Sequence, residues 1–518
     1  MQSWRCLPLR WETTLEQWWC ASPIEWAAAN GHYEVVRELL LLDSNHLIKL
    51  TSLRRLRRLE TLWEEDDDDG RQSRDIATCR ARVVQELLRE CESRRGATGS
   101  HLVRAGYGGW IIYTAASAGE LGFVEELIEK DPTIVFGEGE YGVTDVLYAA
   151  AKSKDWNVFR LVFESAASPG FSTCRDGDLE ELKGGVPSKY RWEMMNRALH
   201  AAARGGSLRA LKELAEHCPD IPAYRDIAGS TVLHSAAAKG QIEVIKYLLG
   251  AFDLAGIVDR HGNTALHIAA YRGQLQAFRV LFSASPALIS ATNHAGETFL
   301  HMAIAGFQSP DFQRLDRQMA LLTHIAGLDK PLQELINSRS NTGRTALHLA
   351  LIGKPNSAAV RLLMSVPSTD LNVRDEYGMT PLDILKHQSP SARKDVLIRQ
   401  LVSAGAEYDD DHSSSSSSPA IKSMASQLKT MQGYGANSPG TLFSIPDFEI
   451  LLHAGPRNGS LESSSSVGPS ETTEMMSFSS TVSGSCSSYV RSGSSPARRL
   501  KKALWPPSAR ERKPEKCP

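Results

Sequence analysis

The stretch Asp259-Arg-His-Gly-Asn-Thr-Ala-Leu-His-Ile-Ala-Ala-Tyr-Arg-Gly-Gln-Leu-Gln-Ala-Phe-Arg-Val-Leu-Phe282 reads as one complete structural unit. Gly262 stands where a turn needs positive φ or close backbone approach. Thr264 is a cap for a helix that begins at once. Leu266, Ile268, Ala269 and Ala270 make that helix short, apolar and thin, and Gly273 stops it. Leu275, Phe278, Leu281 and Phe282 then recur at helical spacing. Two short helices and a turn cannot bury their apolar faces alone, so the unit requires stacked copies on either side.

The copies are present. His234 precedes His267 by 33 residues, His301 follows it by 34, and His200 lies 34 before His234. His348 follows His301 by 47, so that unit carries an insertion. The motif recurs as Thr231-Val-Leu-His-Ser-Ala236, Thr264-Ala-Leu-His-Ile-Ala269, Thr298-Phe-Leu-His-Met-Ala303 and Thr345-Ala-Leu-His-Leu-Ala350. A period near 33 with this pattern resembles the ankyrin repeat. The resemblance implies an all-α fold: an ankyrin-repeat solenoid of helix-turn-helix repeats with β-turn fingers.

The chain has 518 residues and a formal net charge of −2, so bulk electrostatics do not point to nucleic acid or an anionic membrane. Its eight cysteines are scattered, without Cys-x-x-Cys or zinc spacing. A reducing, intracellular compartment fits this usage. No stretch has the length and apolarity of a transmembrane helix. The charged residues Arg5, Arg10, Glu12 and Glu16 argue against a signal peptide. Cys517 is second from the end, so no prenylation box is expected.

Residues 1–21, with Trp4, Trp11, Trp18 and Trp19, are expected to form a helical cap on the first repeat. Residues 22–106 hold that repeat, with Glu25 in the histidine place, and an inserted helical hairpin at about 43–105. Arg54, Arg55, Arg57 and Arg58 make its first helix basic, and Glu64 to Gly70 give an acidic loop. The expected reading of the basic helix is a solvated face, with a calmodulin-type or anionic-lipid contact as the alternative.

Residues 107–165 hold two further repeats, with Tyr113 and Tyr148 in the histidine place. Val135 to Gly142 is a glycine-rich finger that lacks the strand and Lys-Ser/Thr context of a phosphate loop. Residues 166–195 form an insertion. Residues 196–406 complete the array and end with Asp383 in the histidine place. From 407 to 518 serine runs dominate, and such a tail is expected to be disordered. Leu442 to Leu452 is an apolar island with the composition to fold on a partner. Arg498, Arg499, Lys501 and Lys502 form a basic cluster that reads as solubilising charge, a localisation signal or a lipid contact. Ser495 before Pro496 is a candidate phosphorylation switch for that cluster.

Tyr107-Gly-Gly-Trp110, Phe136-Gly-Glu-Gly-Glu-Tyr-Gly142 and Ala270-Tyr-Arg-Gly273 resemble a group of soluble plant ankyrin-repeat proteins without a transmembrane domain. This implies an intracellular protein and no settled molecular activity.

In-phase histidines invite a metal hypothesis. Packed helices lie about 10 Å apart, whereas zinc holds nitrogen ligands at about 2 Å, so one histidine per repeat cannot share an ion. The resemblance assigns His200, His234, His267, His301 and His348 a structural role, bonded to their own threonine and neighbouring backbone. Neither a nucleophile elbow, a kinase signature nor a Walker motif occurs, so no catalytic residue and no cofactor is expected.

What remains is a surface for a protein partner. Carried over from the ankyrin family, the candidate contacts are Arg260, His261, Asn263, Tyr271 and Arg272; Asn293, His294 and Glu297; Asn341 and Arg344; and Glu376, Tyr377 and Met379. The expectation is a non-enzymatic adaptor, cytoplasmic with the nucleus as a second location. Direct nucleic-acid binding is not expected, and any membrane contact would be weak and peripheral. The competing reading is a nuclear co-regulator or membrane-associated signalling protein directed by the basic segments.

Overall fold

A computed structural model describes residues 10–12 and 17–19 (backbone only), 21–63, 71–93, 102–167, 188–218, 220–308, 315–328, 333–352, 355–388, 390–407, 443 and 450. The acidic loop, the serine runs and the basic cluster at 498–502 lie outside the described residues, as do Trp4 and Ser495.

The chain opens with β1 (Arg10–Glu12) and β2 (Gln17–Trp19), paired antiparallel with Trp11 opposite Trp18. This corrects the helical reading of the tryptophan-rich segment. The facing tryptophans Trp11 and Trp18 favour extended backbone and cross-strand pairing over a helix.

Helix pairs then succeed one another. The first is α1 (Pro23–Ala29) with α2 (Tyr33–Leu42). After α3 (His46–Thr51), α4 (Leu53–Trp63) and α5 (Arg71–Ser93) come α6 (Gly108–Ala118) with α7 (Leu121–Lys130), and α8 (Val143–Ser153) with α9 (Trp156–Ala167). The fourth pair is α10 (Ser188–Gly205) with α11 (Leu208–Glu216). Next are α12 (Val232–Lys239) with α13 (Ile242–Ala251), α14 (Ala265–Tyr271) with α15 (Leu275–Ala284), and α16 (Phe299–Ala305) with α17 (Leu315–Ala326). The last are α18 (Ala346–Leu351) with α19 (Ser357–Met364), and α20 (Pro381–Lys386) with α21 (Ala392–Ser403).

Small residues keep the first helices thin, so neighbouring units approach closely. Ala269 and Ala270 are fully buried in α14, and Phe278 of α15 meets Phe299 of the next unit with ring centroids 5.2 Å apart. Core side chains therefore touch from unit to unit and form one continuous hydrophobic cluster.

Between units the chain forms fingers. In the finger before α14, Asp259 N–H donates to the Asn263 carbonyl at 2.9 Å, and its Oδ1 accepts from the N–H groups of His261 and Asn263 at 2.8 and 2.9 Å. Gly262 turns the tip at φ +80°, and a Cβ there would stand 2.6 Å from the backbone nitrogen of His294 in the next finger. Adjacent fingers are joined by N–H donation from Arg260 to Ala228, His294 to His261, Asn341 to Ala295 and Glu376 to Thr342, at 2.8–3.1 Å.

Two units depart from the repeat. Helix α5 lies in the stack, packed on α1 and α2 on one side and on α6 on the other. Its buried residues Ile76, Val83, Val84, Leu87, Leu88 and Cys91 give it the apolar surface for both contacts. Helix α10 begins at Ser188, inside the expected 166–195 insertion and nearly three turns earlier than a regular first helix.

Candidate partner-binding surface

The histidines hold the helix starts. Nδ1 of His234, His267, His301 and His348 lies 2.8–2.9 Å from the hydroxyl of Thr231, Thr264, Thr298 and Thr345. Each threonine N–H donates to the same Nδ1 at 3.1–3.2 Å. Nε2 of His234, His301 and His348 reaches into the next unit, to the carbonyls of Asn263, Arg344 and Met379 at 2.9, 3.1 and 3.2 Å. Each of these three rings thereby ties its own helix cap to the following finger. Burial pushes His267, His301 and His348 down to about 4, so the rings stay neutral.

His200 differs. Arg197 stands three residues before it, where the other units place threonine. His200 Nδ1 therefore bonds the Ser235 hydroxyl at 2.7 Å, and Nε2 lies 3.3 Å from the Tyr224 carbonyl. Burial pushes it down to about 3.

Carboxylates replace histidine in three units. Asp383 accepts from the N–H and hydroxyl of Thr380 at 3.0 and 2.8 Å, and Glu25 accepts from those of Ser22 at 2.7 and 2.6 Å. In the third unit Asp145, rather than the expected Tyr148, makes the cap, accepting from Gly142 N–H at 3.2 Å. The helix there starts a turn earlier, which moves Tyr148 past the cap.

The finger candidates divide by burial. Arg260, His261, His294, Asn341, Glu376 and Tyr377 are exposed, while Arg272, Glu297 and Met379 are half-buried. Asn263, Tyr271, Asn293 and Arg344 are buried, which corrects their reading as contact residues. Asn263 is held by Asp259, and Asn293 Nδ2 donates to Asn263 Oδ1 at 3.1 Å. Arg344 Nε donates to Asp375 Oδ2 at 3.1 Å with both side chains fully buried. These polar groups link one finger to the next, because a buried polar group must find a partner inside the fold. Burial also raises the Glu297 carboxyl above its ordinary value.

The basic helix α4 supplies contacts that its pattern concealed. Its apolar edge, Leu53, Leu56, Leu59 and Trp63, is buried. Arg55 Nε and Nη2 fork onto the two oxygens of Glu25, each at 2.8 Å. Arg57 pairs with Asp145 and lies 5.0 Å from the Tyr148 ring centroid. Glu60 accepts from the Tyr113 hydroxyl at 3.1 Å, with Lys152 Nζ 3.3 Å and Arg80 Nη1 3.7 Å from it. Helix α4 thus answers the non-histidine residues of the first three units with complementary groups. The solvated-face reading is corrected accordingly: of the four arginines only Arg54 is exposed.

The glycine-rich finger also has a defined neighbour. A Cβ on Gly109 would stand 2.5 Å from the Glu138 nitrogen and 2.6 Å from its carbonyl oxygen. The Tyr107-Gly-Gly-Trp and Phe136-Gly-Glu-Gly motifs therefore pack on each other through backbone. Burial raises the Glu138 carboxyl, and the Gly108 N–H that donates to it opposes the rise.

The family model described as ankyrin repeats in three copies matches residues 177–254, and the model described as ankyrin repeat matches 261–294. The chain carries ankyrin repeats. No curated protein matches it. Among solved structures, the complex of a predatory endopeptidase from Bdellovibrio bacteriovorus with an immunity protein contains a chain 24% identical to this one. The match covers 40% of this chain and 97% of that one at a TM-score of 0.31, too slight to carry an argument. Among the described residues of the ankyrin array, no helix is long and apolar enough to cross a membrane, and no His/Cys/Asp/Glu group could hold a metal ion.

Proposed function

We propose that the array is a non-enzymatic adaptor that binds a protein partner along its finger tips from Arg260 to Tyr377. The carrying observation is the row of exposed Arg260, His261, His294, Asn341, Glu376 and Tyr377 on fingers joined by backbone hydrogen bonds. A rigid backbone presenting mixed Arg, His and Tyr side chains suits an interface, because little ordering entropy remains to be lost on binding. In the first units α4 already covers the caps, so the later fingers offer the accessible half of the surface.

The resemblance to soluble plant ankyrin-repeat proteins supports placing this adaptor inside the cell, in the cytoplasm. A nuclear role rests on Arg498, Arg499, Lys501 and Lys502 alone, and imaging a fusion with and without residues 491–518 tests it. Membrane recruitment through α4 is disfavoured, because Arg55 and Arg57 are engaged within the fold.

The adaptor reading is tested by recovering bound proteins with the wild-type chain and with Arg260→Ala/His294→Ala/Tyr377→Ala. Loss of at least one specific partner is expected. Undiminished recovery of all of them would remove the finger-tip assignment.

A further inference from the structure

The fourth unit breaks the cap rule at Arg197, and the same place holds part of the tail. Arg197 is fully buried, with Nε donating to Glu193 at 3.1 Å and Nη1 donating to the Thr144 hydroxyl at 2.7 Å. Its guanidinium carbon lies 4.8 Å from the ring centroid of Phe443. The His200 ring meets Phe443 edge to face, centroids 5.6 Å apart at 84°. Phe443 is 6% exposed, and Ile450, seven residues on, is fully buried within the continuous core. An aromatic face over a buried guanidinium and against a neutral imidazole is a specific, desolvated contact. Both anchors come from the apolar island at 442–452.

We propose that Arg197 and His200 form a peptide-binding site for an aromatic anchor, and that the chain's own Phe443 occupies it as a tethered ligand, with Ile450 as a second, aliphatic anchor buried in the same continuous core. The site stands apart from the finger tips and does not depend on them. Thirty-five residues separate the end of the array at 407 from Phe443. Extended, they span up to about 120 Å, against roughly 50 Å for five unit spacings of about 10 Å. The tether therefore reaches the fourth unit from the ninth. A tethered segment acts at an effective concentration of up to about 1 mM, so a protein presenting the same two anchors must displace it to bind.

The test uses the full chain and a fluorescent peptide of residues 440–453. Wild-type, Phe443→Ala and Phe443→Ala/Ile450→Ala chains are titrated with it, after circular dichroism confirms that each is folded. The vacated variants are expected to bind the peptide at least ten-fold more tightly than wild type. The peptide with both anchors changed to alanine should lose that binding. Equal affinity for wild-type and vacated chains overturns the tethered occupancy, and absence of binding to both vacated variants overturns the site. Hydrogen exchange over 188–205 gives a readout that needs only the single variant. Exchange should rise in Phe443→Ala and fall again on adding peptide; unchanged exchange in Phe443→Ala contradicts the proposal.

Discussion

Glu25 and Arg55 close a two-pronged ion pair, Nε and Nη2 each 2.8 Å from a carboxylate oxygen, between the cap of the first repeat and a helix outside the repeat pattern. Glu25 also caps α1 through Ser22, so one carboxylate serves helix start and inter-helix contact together. Removing the arginine leaves the carboxylate with its cap bonds and no counter-charge. Arg55→Met is expected to cost about 2 kcal/mol by urea unfolding, below the range for a fully buried pair because Arg55 is partly exposed. Adding Glu25→Gln should recover part of that loss. Additive losses in the double variant would contradict the coupling.

The buried histidines make the array acid-sensitive in a defined window. His267, His301 and His348 stay neutral in the fold down to about pH 4, while the unfolded chain protonates them near 6.5. Between those values the unfolded state binds more protons, so stability is retained above pH 6.5 and lost as pH falls to about 4. Each unit of difference corresponds to about 1.4 kcal/mol per histidine. Asp226 and Glu297, raised by burial, act in the opposite direction toward the acid end. Replacing His301 with Gln isolates the histidine part: the urea midpoint should depend less steeply on pH between 6.5 and 4 than in wild type.

Two glycines on neighbouring helices should respond with opposite sign. Gly109→Ala drives a methyl group into the Glu138 backbone, which cannot rotate away, and should destabilise by about 3 kcal/mol. Gly122 in α7 faces open space, and a Cβ there would meet nothing within 4 Å. Gly122→Ala should therefore stabilise by roughly 0.5 kcal/mol through reduced unfolded-state entropy. Thermal melts of the two variants check both signs.

Arg344 and Asp375 are predicted to be structural rather than partner-facing. Arg344→Ala leaves Asp375 buried without its ion pair and should cost about 3 kcal/mol or more. Tyr377→Ala, which removes an exposed ring whose centroid lies 5.9 Å from the Arg344 guanidinium carbon, should cost less than about 1 kcal/mol. Chemical denaturation distinguishes the two, and similar costs would contradict the division of the surface.

The repeat phase and the histidine caps were legible because the four units capped by His234, His267, His301 and His348 each contain their own signals: threonine, histidine three residues on, and a terminating glycine. The paired residues across units were harder to read. Arg344 and Asp375 lie 31 residues apart, and an Arg beside a finger glycine has the same local pattern whether it faces solvent or a buried carboxylate. Helix α4 posed the same ambiguity: Leu53, Leu56 and Leu59 marked its buried edge, but the charge pattern alone could not say that Arg55 and Arg57 had partners. The available signal was the replacement of histidine by Glu25 and Asp145 in the very units that α4 covers. At the N-terminus, tryptophan spacing compatible with a helix concealed a strand pair, where aromatic propensity prevailed.

The most direct measurement of the central claim is site-specific photo-crosslinking in the full chain inside cells. A photoreactive residue is placed at finger-tip position 294 or 377, or at position 243 on the second helix α13. The account predicts a discrete partner adduct from 294 and 377 and none from 243. An adduct from 243 with none from the finger-tip positions would contradict it.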